Sequence, residues 1–345
     1  MLPDDQLLQT IRALPKIELH RHLEGSFRLD TMVTIAEKYG IEMPEYDTEL
    51  LRPFVQMMPN ETRNAQHFLG KFMTIRQFFR SPEVIQQATR EAIADAAADN
   101  VKYMELRFTP RALSNILQCS YYDVVGWVCD ATEQACLDYP IQVRLIVSMN
   151  RHESPEIGEH VLAAAVENRH RGVTAIDLAG NEQQFSAEPF RSTFYKAKEL
   201  GLGVTVHAGE WGEPSNIRQA VEELHADRIG HGVRAYENPE LVDWLVERGT
   251  VLELCPTSNV HSGVVADWNV HPLQYLFASH VRTTINTDDP LISNIVLSDE
   301  LCHAVQDMQM TLDDVKRQTI TAAQSAFLSD DERAALVRQF TDWLS

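Results

Sequence analysis

Residues 141–178, IQVRLIVSMNRHESPEIGEHVLAAAVENRHRGVTAIDL, decide the fold. The apolar runs at 141–148 and 173–178 have the length of strands, and 154–171 between them carries apolar residues at three- and four-residue steps, the period of a helix. A strand, a crossover helix and a second strand in that order are joined as parallel neighbours with a right-handed connection. Working outward, six more strand-like runs appear: KIELHRH (16–22), VKYMELRF (101–108), GVTVH (203–207), RIGH (228–231), TVLELC (250–255) and VRTTINT (281–287). Helical patterns at 188–200, 215–225 and 239–248 separate several of them. Eight strands alternating with helices predict a closed (β/α)8 TIM barrel of the α/β class rather than an open sheet.

The whole chain, 1–345, is expected to be one barrel domain with two additions. Strand one is followed by helical patterns at 29–39, 65–79 and 82–99, an insertion at about 27–100 on the barrel's upper face. Its Phe68, Phe72, Met73, Ile75, Phe78 and Phe79 serve either as the packing face of an inserted helix or as an apolar lid over a pocket. The tail from Asp299 reads as three further helices.

Composition narrows the function. Fifty acidic against thirty basic side chains give a formal charge of −20, which repels phosphate backbones and argues against nucleic acid as a partner. Five cysteines without a CxxC pair exclude a cysteine zinc finger and fit free thiols in a reducing compartment. The opening MLPDDQLLQT lacks the basic and apolar stretches of a signal peptide, and no run approaches the ~20 apolar residues of a membrane span. A cytoplasmic protein acting on a small molecule is expected; oligomeric state is not legible.

The chemistry lies at the strand ends. His20 and His22 close strand one, His207 closes strand five, His231 closes strand six, and Asp288 and Asp289 follow strand eight. In a barrel these ends converge on the face that carries active sites. Inward imidazoles need partners, and a metal supplies one. His20, His22, His207 and Asp288 offer three nitrogens and one oxygen to a divalent first-row ion, zinc foremost, with iron, cobalt and manganese not separated by spacing. Glu210, three residues past His207, is either a solvated loop carboxylate or a proton donor beside the metal. His231 is a hydrogen-bonded structural residue or one that orients or deprotonates water. Asp289 either shapes the turn before Pro290 or addresses the substrate or the metal's water.

HRHLEGS (20–26), DLAGNE (177–182), HAGE (207–210), RIGHGVR (228–234), CPTSN (255–259), NTDDP (286–290) and TAAQSAFL (321–328) together resemble, in order, the adenosine/adenine deaminase family. The resemblance implies a zinc-dependent barrel that hydrolyses the 6-amino group of a purine and releases ammonia. It implies one Zn2+ held by His20, His22, His207 and Asp288, with Glu210 protonating purine N1, His231 beside the attacking water and Asp289 at N7. It also implies substrate contacts from His22, Glu24 near the ribose and the backbone of Gly180 at N3. DLAGNE is similar to the adenosine-type members, whose segment usually reads DLAGDE. Glu24 stands where adenosine deaminases commonly carry Asp, so adenine or a modified nucleoside such as aminodeoxyfutalosine is the alternative to adenosine and deoxyadenosine. His22-Leu23-Glu24 satisfies half of the H-x-E…PCxxC pattern of the other zinc deaminases, but no PCxxC exists. A generic amidohydrolase with two metals bridged by a carboxylated lysine is disfavoured, since VTAIDLAG at strand four has no lysine. A silent purine-binding protein would lack a ligand or Glu210, and none is missing.

Overall fold

The computed structural model describes residues 5–43 and 46–345; of the opening ten residues read for a leader, 1–4 lie outside the described residues. Eight parallel strands form one sheet in sequence order: β1 Lys16–His22, β2 Val101–Phe108, β3 Gln142–Asn150, β4 Val173–Ala179, β5 Gly203–Ala208, β6 Arg228–His231, β7 Val251–Leu254 and β8 Arg282–Ile285. The sheet curls until its ends meet. The Leu19 amide donates to Asn286 Oδ1 at 2.9 Å, the Asp288 amide to the His20 carbonyl at 3.0 Å, and the His22 amide to the Asp288 carbonyl at 2.8 Å. The (β/α)8 barrel expected from the alternation is the observed fold.

The expected strand eight, 281–287, is longer than β8. Past Ile285, the Asn286 side chain rather than its backbone reaches β1, and Asp288 adopts φ +64°, which ends regular pairing and leaves one isolated bridge, Arg21 to Asp288. The crossover helices follow their local signals. Asn238 caps Pro239–Arg248 by accepting from the Leu241 amide at 3.2 Å, and Gly249 ends that helix at φ +67°, a conformation that costs glycine little. The insertion holds Leu29–Tyr39 and Pro82–Ala98 close to their expected bounds, Ala65–Ile75 followed by a 3-10 turn Arg76–Phe78 where one helix over 65–79 was expected, and also Thr48–Val55. That last segment carries Pro53 in its interior. Asp47 nonetheless caps it at the Glu49 and Leu50 amides, and Lys71 Nζ donates to the Pro53 carbonyl at 2.7 Å.

Between sheet and helices lies a continuous apolar core running from Ile11 to Val315. The C-terminal helices Leu312–Ser325 and Asp330–Leu344 close the lower end, setting Ala322, Ala323, Leu336 and Phe340 against Ile17, Leu19 and Tyr103. The barrel's interior is different. Where aliphatic layers usually fill such a barrel, Glu105, Arg107, Asp177, Arg228 and Glu253 point inward, all buried. Glu253 is their hub: it accepts from Arg107 at 2.6 Å, from Arg228 Nε at 2.6 Å and from Thr205 at 3.3 Å. Arg228 also pairs with Glu105, which takes the Tyr103 hydroxyl at 2.8 Å. Buried charges cost several kcal/mol each unless paired in this way. Burial pushes the Glu253 carboxyl up, but Arg107 and Arg228 outweigh it and hold it well below the usual range, so it stays ionised.

Candidate functional site

That buried anion reaches the strand ends. Glu253 Oε2 bonds His20 Nδ1 at 2.8 Å, which turns His20 Nε2 upward to lie 3.2 Å from Asp288 Oδ1. Asp177 at the end of β4 does the same for His207, bonding Nδ1 at 2.9 Å and aiming Nε2 at His22 Nε2, 3.3 Å away. His22 Nε2 in turn lies 3.3 Å from Asp288 Oδ1, and Asp288 Oδ2 is fixed by the Ser258 hydroxyl at 2.7 Å. His207 is neutral, its pKa lowered to about 4 by burial despite the opposing charge of Asp177. Asp288 is ionised: burial raises its pKa, but the close His20 and His22 imidazoles outweigh that and carry it well below the usual value.

These donors suit a metal ion. Ligand bonds of 2.0–2.1 Å in a tetrahedron place donor atoms about 3.4 Å apart, and the separations here are 3.2, 3.3 and 3.3 Å. His20 Nε2 is buried with no hydrogen-bond partner. The carboxylate–histidine pairs Glu253–His20 and Asp177–His207 are the outer contacts that orient metal-binding imidazoles. A group of His20, His207, His231 and Asp288 also has ligand atoms all within 4.8 Å of one another, so the site brings together every predicted histidine.

Glu210 follows β5 on a loop clamped by Glu182, whose carboxylate accepts the Gly209, Glu210 and Trp211 amides at 2.9, 2.7 and 2.9 Å. Burial, then the charges of Asp288, Glu182 and Asp289, push the Glu210 pKa well above its ordinary value, which favours the protonated form. Burial and Asp288 do the same to Asp289. His231 Nε2 lies 3.5 Å from Glu210 Oε2 and 4.0 Å from Asp288 Oδ2. His231 and Asp288 both have positive φ, +58° and +64°, strain of the kind found at functional positions.

His207, Glu210, His231, Asp288 and Asp289 face a cavity of about 320 Å³ lined also by His22, Glu24 and Gly180, and by Phe68, Leu69, Phe72 and Arg76 of the insertion. Both readings of the insertion's aromatic run therefore hold, on different faces. Phe72 lines the cavity; Phe78 and Phe79 are buried against Phe27, and Met73 points outward, 77% exposed. Glu24 Oε1 accepts the Thr109 amide at 2.8 Å, while Glu24 Oε2 and Asp289 Oδ1 are buried without partners, two polar atoms left for a polar ligand. Gly180 takes φ +96°, open to few other residues.

Gly25 matters for a steric reason. A Cβ there would stand 1.9 Å from Asp289 Oδ1. Gly25→Ala should displace that carboxyl and lower kcat/KM about 10²-fold while leaving metal content intact, as steady-state kinetics with elemental analysis will show.

Sequence reading did not assign Asp177, Glu182, Glu253, Ser258 or Glu300. The first two sit in the quoted DLAGNE, and Ser258 in CPTSN, beside residues that were assigned. Glu300 is fully buried and accepts the Thr257 amide at 2.9 Å, holding the turn that carries Ser258. Burial raises its pKa from 4.5 to about 8, against the opposing Thr257 hydrogen bonds. With the folded value above the unfolded one, its favourable contribution is complete below pH 4.5 and erodes as pH rises to 8. Glu300→Gln should therefore gain Tm over the parent between pH 5 and 8, by an increasing margin, in thermal melts across that range.

Comparisons with known proteins show which family the chain resembles. Residues 15–343 match the family described as adenosine deaminase. An adenosine deaminase of Klebsiella pneumoniae subsp. pneumoniae is 35% identical over 327 residues, covering 95% of this chain and 98% of the relative. The adenine deaminase structure from Arthrobacter aurescens superposes with TM-score 0.88 at 28% identity, over 96% of this chain and 99% of that one. An amidohydrolase from Burkhoderia ambifaria with bound Zn gives TM-score 0.89 at 26% identity, over 99% and 95%. With a barrel, a cavity and a histidine–aspartate centre of this form, and a match across nearly its whole length, the chain belongs to the adenosine deaminase family.

Proposed function

We propose that this protein hydrolyses adenosine and deoxyadenosine to inosine and deoxyinosine with release of ammonia. The observation that carries the reading is Glu210: a buried carboxyl group, its pKa raised by burial and neighbouring carboxylates, in the same cavity as a convergent His/Asp donor set. His20, His22, His207 and Asp288 would hold one zinc ion, a choice supported by their donor spacing and by the relative that carries Zn. Bound zinc supplies a strongly acidified water at neutral pH. Glu210 donates its proton to purine N1, which draws ring electrons away from C6 and opens that carbon to attack. Asp289, its proton retained by burial, donates to N7, and the Gly180 backbone meets N3. His22 and Glu24 border the substrate, with Glu24 Oε2 free for a ribose hydroxyl. The insertion helices roof the cavity as part of a single barrel domain and keep bulk water from the reacting carbon.

A purine nucleoside is thus the partner; among the described residues no helix is long and apolar enough to cross a bilayer. The five cysteines stand as free thiols, which fits a cytoplasmic enzyme. Adenine is the second reading, favoured by Glu24 and by the likeness to the Arthrobacter aurescens adenine deaminase. Purified protein incubated separately with adenosine, deoxyadenosine and adenine decides between them by ammonia release and ultraviolet change. Turnover of adenine alone reverses the substrate choice; no turnover of any purine ends the deaminase reading.

A further inference from the structure

A chain of buried side chains leads away from His231 into a part of the fold with no other evident task. The Leu273 amide donates to His271 Nδ1 at 3.1 Å. His271 Nε2 lies 3.2 Å from Asn259 Oδ1, and Asn259 Nδ2 lies 3.2 Å from His231 Nδ1. His271, Asn259 and His231 are all buried, Asn259 completely. The direction of every bond follows from the first, because a backbone N–H can only donate. His271 Nδ1 must therefore accept. Its ring is neutral, burial lowering its pKa to about 3, so its one proton sits on Nε2 and is donated to Asn259 Oδ1. The Asn259 amide is thereby oriented with its NH2 toward His231 and donates to Nδ1. A neutral His231 must then carry its proton on Nε2, the nitrogen that faces Glu210 and Asp288.

We propose that His271 and Asn259 are positioning residues that lock His231 in the Nε2–H tautomer, so that His231 presents a hydrogen-bond donor, not a lone pair, to the reacting site. The relay rests on the deaminase reading for its purpose but not for its geometry. In that role His231 holds the oxygen of the attacking water by donation and abstracts no proton. It also leaves His231 without a free nitrogen toward the metal donors, since Nδ1 is taken by Asn259. Residues 259 and 271 come from the helix Pro256–His261 and the turn before Leu273–Ala278, so the segment after β7 is recruited to set one proton.

Two measurements on the metal-loaded enzyme test this. Long-range proton–nitrogen spectra of 15N-histidine-labelled protein, with His231 assigned by comparison with His231→Gln, report which ring nitrogen carries the proton. The expected pattern is Nε2–H; protonation of Nδ1 in the parent enzyme overturns the proposal, whatever the activity. Asn259→Asp keeps the shape but replaces the donor by an acceptor. It should move the His231 proton to Nδ1 and lower kcat about 10²-fold, with KM and metal content changed far less. His271→Phe should lose the bias and about tenfold in kcat, and His271→Gln, which restores a donor toward Asn259, should recover part of that loss. Equal loss in the Phe and Gln variants, with the His231 spectrum unmoved, would reduce the relay to packing. Adenosine turnover by the parent enzyme is read separately, so failure of the relay and failure of the deaminase reading are distinguishable.

Discussion

Glu210→Gln is expected to keep its metal and its fold and to lose roughly 10²–10⁴-fold in kcat, the usual worth of a positioned acid. Glutamine matches the carboxylic acid in size and can still donate a hydrogen bond to purine N1, but it cannot surrender a proton there. Without that proton the ring has no route for electrons leaving C6, so the loss falls on kcat rather than KM. The pH profile adds a second readout. Because burial and the neighbouring carboxylates raise the Glu210 pKa well above its ordinary value, the active protonated form is fully present below that raised value. Activity therefore falls as pH rises through it, and this alkaline limb should be absent from the residual activity of the glutamine variant. Near-normal turnover in that variant would remove Glu210 from the mechanism. The fold tolerates the change readily: the loop is held by Glu182 through backbone amides, not through the Glu210 side chain.

Much of this site was legible before any coordinates because the barrel obeys a positional rule: chemistry collects where strands end. His20, His22, His207 and His231 close their strands as read. The barrel interior was not legible. In β2, β6 and β7, Glu105, Arg107, Arg228 and Glu253 each look like an isolated charge in an apolar run, and only closure of the sheet brings them within hydrogen-bond reach. A charged residue recurring inside otherwise apolar strands is the signal to look for, since its burial requires a partner elsewhere. The positive φ of His231 and Asp288 has no signal in the sequence, since residues other than glycine ordinarily keep φ negative. The adjacent Asp288 and Asp289 point apart, one to the histidines and one toward Gly25. The helix Thr48–Val55 has no clear signal in the sequence, since Pro53 is a poor helix former; the Asp47 cap holds its start and Lys71 its last turn.

His22→Ala and His231→Ala separate two possible ligand sets. His20, His207, His231 and Asp288 lie close enough to hold a metal, and His22 stands at ligand spacing from two of the same groups. Distance favours His22, whose Nε2 is 3.3 Å from both His207 Nε2 and Asp288 Oδ1, whereas His231 Nε2 is 4.0 Å from Asp288 Oδ2. Proton bookkeeping favours it too, because an Nε2–H cannot coordinate. His22→Ala should therefore lose bound metal and essentially all turnover together. His22 keeps 13% of its side chain exposed, against none for His20, so its removal perturbs the fold least among β1 candidates. His231→Ala should retain about one metal ion per chain and lose about 10²-fold in kcat, having lost a donor to the attacking water but no ligand. Elemental analysis of both purified variants, set beside their kinetics, gives the answer directly. Metal kept by His22→Ala and lost by His231→Ala would transfer the fourth coordination position to His231 and, with it, refute the tautomer on which its donor role depends.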